Sequence, residues 1–369
     1  MKHVIALDVG GTGMKAALVG AEGELLYRAR RPTGRERGPE AVTTAVLDFA
    51  AELRAHGLSE FGEPAVAAGV AVPGIVDDER GVAVYSANLG WRDVPLRARL
   101  SERLGGVPVA LGHDVRTGGL AEGRIGAGQG ADRFLFVPLG TGIAGAIGID
   151  GRVEAGAHGF AGEIGHVVVR PGGVDCPCGQ RGCLERYASA SAVGQAWAAA
   201  CGNPEADAAD CARAVAAGDA RAAEVWQAAV DALADGLVTA FTLLDPRTLI
   251  IGGGLAEAGP TLFDPLRQAL RDRVTFQKLP SVVHAGLGDN AGCLGAGLLA
   301  WDLHAAGGGP RKEPTPVVPP GKEPAPVVPP GKEPAPVVPP VRDTADPSIP
   351  SIPSAPSTDP ATDPSIPRR

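Results

Sequence analysis

The chain has no run of 18 or more consecutive apolar residues, so no segment of it reads as a membrane-spanning helix. It also lacks an excess of positive charge: 34 lysines and arginines stand against 42 aspartates and glutamates, giving a net charge of -8. Gripping nucleic acid requires a basic face, so no nucleic-acid partner is expected. A secretory leader is missing from the reading as well, because MKHVIALDVGGTG runs from a strand pattern directly into a glycine turn. The expected location is the cytoplasm, with no membrane partner. Cysteines are few, six in 369 residues, and three of them crowd together as Cys176, Cys178 and Cys183. In a reducing compartment that spacing reads as metal ligation rather than a disulfide framework.

What is present divides the chain in two. Of the 34 prolines, 20 lie within 310–367, where KEPTPVVPPG, KEPAPVVPPG and KEPAPVVPP repeat with a period of ten. Proline fixes φ and removes a donor, so this segment is expected to be an extended or disordered tail that packs no core. The seven basic and seven acidic residues of 307–369 cancel, and the net negative charge belongs to the remainder. Residues 1–306 alternate strand and helix signals, which predicts an α/β architecture.

Two halves are visible in that region. The first opens with strands over 3–8, 16–19 and 24–30, followed by a helix in which Val42, Val46, Phe49 and Leu53 recur at three and four residues, then a strand over 66–72. The second opens with strands over 134–139 and 145–149 and continues to a helical stripe of Val225, Ala229, Leu233, Leu237 and Phe241 before a strand over 248–251. Each half begins strand, glycine turn, strand. The expected division is a lobe over 1–115, a lobe over 116–306 and the tail over 307–369, with a cleft between the lobes.

Three glycine turns carry a phosphate signal. In DVGGTGMK, Gly10 and Gly11 let the backbone come close to a phosphate, Thr12 offers a hydroxyl, Lys15 a cation, and Asp8 a carboxylate for a water of magnesium. No helix follows directly, so this is neither a P-loop nor a dinucleotide fingerprint. Gly140, Thr141 and Gly142 repeat the layout in the second half, and Gly253 and Gly254 follow another strand where a nucleoside can lie against backbone. Together they point to a nucleoside triphosphate, ATP with Mg2+.

The segment over 161–187 is the most specific. His166, Cys176, Cys178 and Cys183 offer one nitrogen and three sulfurs, the donor set of a closed structural zinc site. Glu163, His166 and Glu185 bracket those ligands and suit a polyol, since carboxylates accept from adjacent hydroxyls and a metal-bound imidazole keeps its other nitrogen free. Asp114, after a strand over 107–111 and at the start of a helical segment, is the candidate to take a proton from an attacking hydroxyl, or else an N-cap with a structural task. Asn88 and Trp91 are candidates for the sugar side.

Taken together these residues resemble the ROK family of sugar kinases and sugar-responsive repressors, within the actin, hexokinase and heat-shock-protein superfamily. The resemblance spans nearly all of 3–302. It rests on Gly156, Gly159, Gly162, Glu163, Gly165 and His166, followed by Cys176, Cys178, Gly179, Gly182, Cys183 and Glu185. It implies a two-domain actin-like ATPase fold of duplicated ribonuclease-H-like units. It also implies ATP-dependent phosphorylation of a hexose, Asp114 as base, Glu163, His166 and Glu185 as sugar ligands, and a homodimer or homotetramer. The expected acceptor is the 6-hydroxyl of glucose, with N-acetylmannosamine, N-acetylglucosamine or fructose as alternatives. One departure stands out: His113 precedes Asp114 where the family usually has a sugar-binding asparagine, which leaves the sugar preference open. The family's repressors carry a DNA-binding domain before the first phosphate motif; only seven residues precede Asp8, which favours the enzyme over a sugar-sensing regulator.

Overall fold

The computed structural model describes residues 1–307, and the proline-rich repeat lies outside them. The first sheet takes β1 (His3–Val9), β2 (Gly13–Gly20), β3 (Leu25–Pro32), β4 (Ala68–Val72) and β8 (Val109–His113) in the order β3-β2-β1-β4-β8. Helix α1 (Pro39–Phe61) connects β3 to β4, and α2 (Leu96–Arg103) precedes β8. Between β4 and α2 a small antiparallel sheet forms from β5 (Ile75–Asp77), β6 (Val82–Ser86) and β7 (Trp91–Val94). Helix α3 (Asp114–Ile125) leaves β8 without an intervening loop.

The second sheet repeats this plan. Strands β9 (Arg133–Pro138), β10 (Ala146–Ile149), β11 (Arg152–Val153), β12 (Thr248–Gly252) and β13 (Ser281–His284) stand in the order β11-β10-β9-β12-β13. In both sheets the first three strands form an antiparallel meander and the last two run parallel to the first. Helices α4 (Glu185–Ala188), α5 (Ala190–Cys201), α6 (Ala208–Ala216) and α7 (Ala220–Leu244) fill the long connection before β12, α8 (Pro260–Arg273) joins β12 to β13, and α9 (Ala291–Ala305) closes the described chain. The duplicated α/β architecture is the one expected.

Strand β1 shows why the sheet is covered on both faces. Its sequence HVIALDV does not alternate apolar with polar, and everything but Asp8 is buried. Ile5, Leu7 and Val9 point into a core with Val46, Phe49, Leu53, Leu96 and Trp91, while Val4 and Ala6 face Cys293, Ala296 and Ala300 of α9. In the second lobe Leu135 and Val137 pack against α7, whereas Phe134 and Phe136 face Val115 of α3. Helix α7 meets the length and composition of a membrane span, yet it packs through Trp226, Val230, Leu233 and Leu237 within the core shared with α5, α6 and α8. That is the behaviour of a core helix.

Helices α3 and α9 lie against one another between the two sheets. Their approach requires glycine, since a Cβ on Gly295 would run into the carbonyl of Thr117, and the seating of α9 on β4 requires it too, since a Cβ on Gly69 would run into the carbonyl of Ala296. A boundary at 115/116 therefore assigns α9 by sequence position to the second lobe, whereas α9 packs on β1, β4 and β8 of the first. The chain returns to its starting lobe, and linear order cannot show that.

Candidate active site

The first glycine turn joins β1 to β2 and leaves Asp8 at the end of β1. Gly10 donates its N–H to the carbonyl of Gly13 at 2.9 Å, and Thr33 at the end of β3 clamps the turn through Oγ1 to the Gly10 carbonyl at 2.6 Å. Lys15 stands opposite Asp8 in the ladder, with Nζ 3.9 Å from Asp8 Oδ2 and 2.5 Å from Asp289 Oδ1. Gly292, in the first turn of α9, leaves room for the carboxylate; a Cβ there would sit 2.5 Å from Asp8 Oδ2. Gly11 faces Asn88, whose Cβ would be 3.3 Å from an added Cβ.

Burial pushes Asp8 up to about 6; Lys15 opposes the shift, and Asp114 and Asp289 add to it. The direction has a kinetic consequence if the ionised carboxylate is needed for nucleotide binding. Because the folded value is raised from 3.8, Asp8 protonates as pH falls through about 6 rather than near 4. We expect kcat/KM for ATP, at saturating sugar, to decline on the acid side with a midpoint near 6. A flat profile down to the ordinary carboxylate range would contradict this.

Asp114 is the first residue of α3 and His113 its N-cap, both delivered by the parallel strand β8. Asp114 Oδ1 accepts from the N–H of Val115 at 2.7 Å and lies 3.3 Å from His113 Nδ1. That same Nδ1 accepts from the backbone N–H of Arg116 at 3.4 Å. Burial raises the Asp114 carboxyl above its usual range; the Val115 N–H and the Arg116 guanidinium pull against it, as does the N-terminus of a helix. His113 is pushed down to about 4, by burial first and by Arg116 second, against the pull of Glu163. At neutral pH it is a neutral imidazole with one donor and one acceptor.

The metal-ligand candidates converge. A ring nitrogen of His166 and the Sγ atoms of Cys176, Cys178 and Cys183 all lie within 4.8 Å of one another. Cys176 Sγ is 3.7 Å from His166 Nδ1, and Cys178 Sγ is 3.7 Å from Cys183 Sγ. Sulfurs bound at ~2.3 Å to a tetrahedral ion stand roughly 3.8 Å apart, so the donor set fits zinc. Gly179 and Gly182 take φ of 93° and 84°, and a Cβ on Gly182 would strike the Arg170 carbonyl, so the loop closes only with glycine there. Arg170, itself in this loop, pairs with Asp235 of α7 at 2.6 Å and ties the loop to the second-lobe core.

Glu163 and His166 share one short 3-10 turn, His166 N–H donating to the Glu163 carbonyl at 3.1 Å. Glu185 starts α4, two residues beyond Cys183, and its Oε2 accepts from the N–H of Ile143 at 2.9 Å. An added Cβ on Gly142 would collide with that carboxylate, so the second glycine turn, Gly140, Thr141 and Gly142, is seated directly on Glu185. The third turn lies on the same strand end: Gly253, at φ 77°, packs on the backbone of Leu139, and Leu139 bonds Gly252 and Leu255 on either side. Gly254 then opens a short 3-10 helix.

One sequence reading changes here, and two residues join the site. Trp91 is fully buried and gives its indole N–H to the Pro39 carbonyl at 3.1 Å, so it is a core residue and lines no sugar site. Arg116 and Asp289, which carried no sequence motif, stand among the site's charges. An arginine two residues past a candidate base was visible, but only the fold brings the 159–163 loop to it.

The chain belongs to the ROK family, whose match covers residues 4–302. It is 36% identical over 309 residues to a glucokinase of Thermotoga maritima, covering 79% of this chain and 95% of that one. It is 31% identical over 305 residues to an N-acetylmannosamine kinase of Shigella boydii, covering 80% and 97%. A ROK family glucokinase from Streptomyces griseus, solved in complex with glucose and AMPPNP, superimposes with a TM-score of 0.68 at 30% identity, covering 81% of this chain and 99% of that one.

Proposed function

We propose that this chain is an ATP-dependent hexose kinase that phosphorylates glucose at its 6-hydroxyl. The observation that carries the reading is the half-buried Asp114 at the end of β8, with its raised carboxyl, in the field of Asp8. Phosphoryl transfer asks of a protein mainly positioning, charge stabilisation and a group to take the hydroxyl proton. As the sugar oxygen bonds to the γ-phosphorus and the bond to the β-phosphate oxygen breaks, ADP leaves with the electron pair and Asp114 takes the proton. A raised carboxyl of this kind holds that proton better than an exposed one.

The three glycine turns supply backbone for the nucleotide, and Lys15 the adjacent cation. Asp8 fits as the holder of a magnesium water, because its half-buried carboxylate meets Lys15 no closer than 3.9 Å. Magnesium, when bound, neutralises charge on the phosphates. Glu163, His166, Glu185, Asn88 and His113 are proposed to hold sugar hydroxyls. His166, Cys176, Cys178 and Cys183 are proposed to hold zinc, which fixes the turn carrying Glu163 and His166. A cytoplasmic homodimer or homotetramer completes the reading.

The neutral His113 gives a second acceptor a specific basis, since imidazole is broader than the amide it replaces. An ADP-release assay over glucose, N-acetylmannosamine, N-acetylglucosamine and fructose separates the readings. Glucose is expected to give the highest kcat/KM. Turnover with none of them, together with retention of DNA in a gel, would favour a regulator instead.

A further inference from the structure

Arg116 has no part in the chemistry above, and its placement calls for a reason. It is a guanidinium 8% exposed, in the first turn of α3, the end of a helix where a cation is disfavoured. A buried charge of that kind persists only when partners compensate it. Its Nη1 donates to the carbonyl of Gly159 at 2.8 Å. Three carboxylates face it from three separate segments: Asp78 beyond β5, Glu163 beside the zinc loop, and Asp114 on its own helix. Gly159 is in turn seated on β5, since a Cβ there would lie 3.2 Å from the Val76 carbonyl. The arginine therefore joins the β8–α3 junction, the loop that bears Glu163, and the small sheet.

We propose that Arg116 is a positioning residue of the sugar site: its guanidinium anchors the 159–163 loop to the catalytic helix and supplies the positive charge between Glu163 and Asp114. The inference rests on the hexose kinase reading. Without that guanidinium Glu163 and Asp114 lose the cation they share and the loop loses its tie to α3. Glu163 then no longer meets sugar hydroxyls in a fixed place, while the phosphate turns are untouched. Asp114, faced by His113, Arg116 and Asp8, loses its one cation and holds its proton to higher pH. Lysine restores charge but not the planar guanidinium that donates to the Gly159 carbonyl.

The test is steady-state kinetics of the full chain, of R116Q and of R116K, across pH, with thermal melting as the check of folding. R116Q is expected to raise KM for glucose roughly tenfold or more, the loss of a charge-assisted hydrogen bond, and to leave KM for ATP unchanged. Its acid limb of kcat should move to higher pH. R116K should return the limb to its wild-type position while KM for glucose stays raised. If R116Q does not fold, R116K decides alone: a raised glucose KM supports the proposal and an unchanged one refutes it. Wild-type glucose KM and pH limb in both variants would overturn it with the kinase reading intact. A wild-type chain that phosphorylates no sugar would remove both.

Discussion

Replacing Asp114 by alanine is expected to lower kcat by roughly 10² to 10⁴ while leaving KM for glucose near its wild-type value, the effect of removing one positioned base. The split follows from the geometry. Asp114 makes its hydrogen bond to its own helix, through the N–H of Val115, so its loss costs little outside the site. Of the groups proposed to hold the sugar, Glu163, His166 and Glu185 come from the other lobe and keep their supports. Asp114→Asn tests the same point without a cavity: the amide can accept the Val115 N–H but cannot take the hydroxyl proton. Steady-state kinetics with glucose and ATP decide it. A kcat within about tenfold of wild type in both variants would remove Asp114 from the role of base.

Cys178→Ala is expected to lose metal and sugar affinity together. Cys178 is the exposed member of the cluster, whereas Cys183 is fully buried, so this substitution opens no void in the core. What it removes is one of four donors. The turn with Glu163 and His166, and Glu185 two residues beyond Cys183, then lose the full donor set that ties them together and keep weaker ties such as the bridge of Val168 with Cys183. Weakening of ligand support around a metal commonly costs about 10- to 100-fold, and KM for glucose should rise within that range while the nucleotide turns of the first lobe are spared. Zinc content measured on the purified variant, alongside KM for glucose, checks both halves. A zinc-free variant with wild-type KM would make the metal loop incidental to sugar binding.

The two experiments separate the lobes. Asp114 reports on chemistry at the β8–α3 junction, and Cys178 on how the second lobe holds its sugar ligands. Arg116 sits where the two meet, so its variants should change sugar affinity and proton affinity at once, which neither of the other substitutions does.

The amino-acid sequence by itself determined the elements and the metal loop. The apolar run of β1, the three- and four-residue recurrence of Val42, Val46, Phe49 and Leu53, and the stripe along α7 are local properties, and local propensity with burial pattern is enough to place them. The four metal-ligand candidates lie within 18 residues of chain, His166 to Cys183, so their clustering needs only a glycine-rich loop. Short range in sequence made them legible. The small sheet β5–β7 and helices α5 and α6 were less so: the strands are three to five residues long, α5 is alanine-rich, and α6 is only nine residues long.

Only the tertiary structure decided the rest, because it depends on residues far apart in the chain. Trp91 belongs to the core through a hydrogen bond to Pro39, 52 residues away, which no local pattern reveals. Lys15 meets Asp289 across 274 residues because α9 comes back to the first sheet. That return needs glycines at 69, 292 and 295, whose purpose shows only when the facing backbone or carboxylate is in place. The same holds for Arg116. As a letter in HDVRTGG it is one arginine on a helix, and its partners Asp78, Gly159 and Glu163 reach it only because folding lays three separate segments around the end of β8.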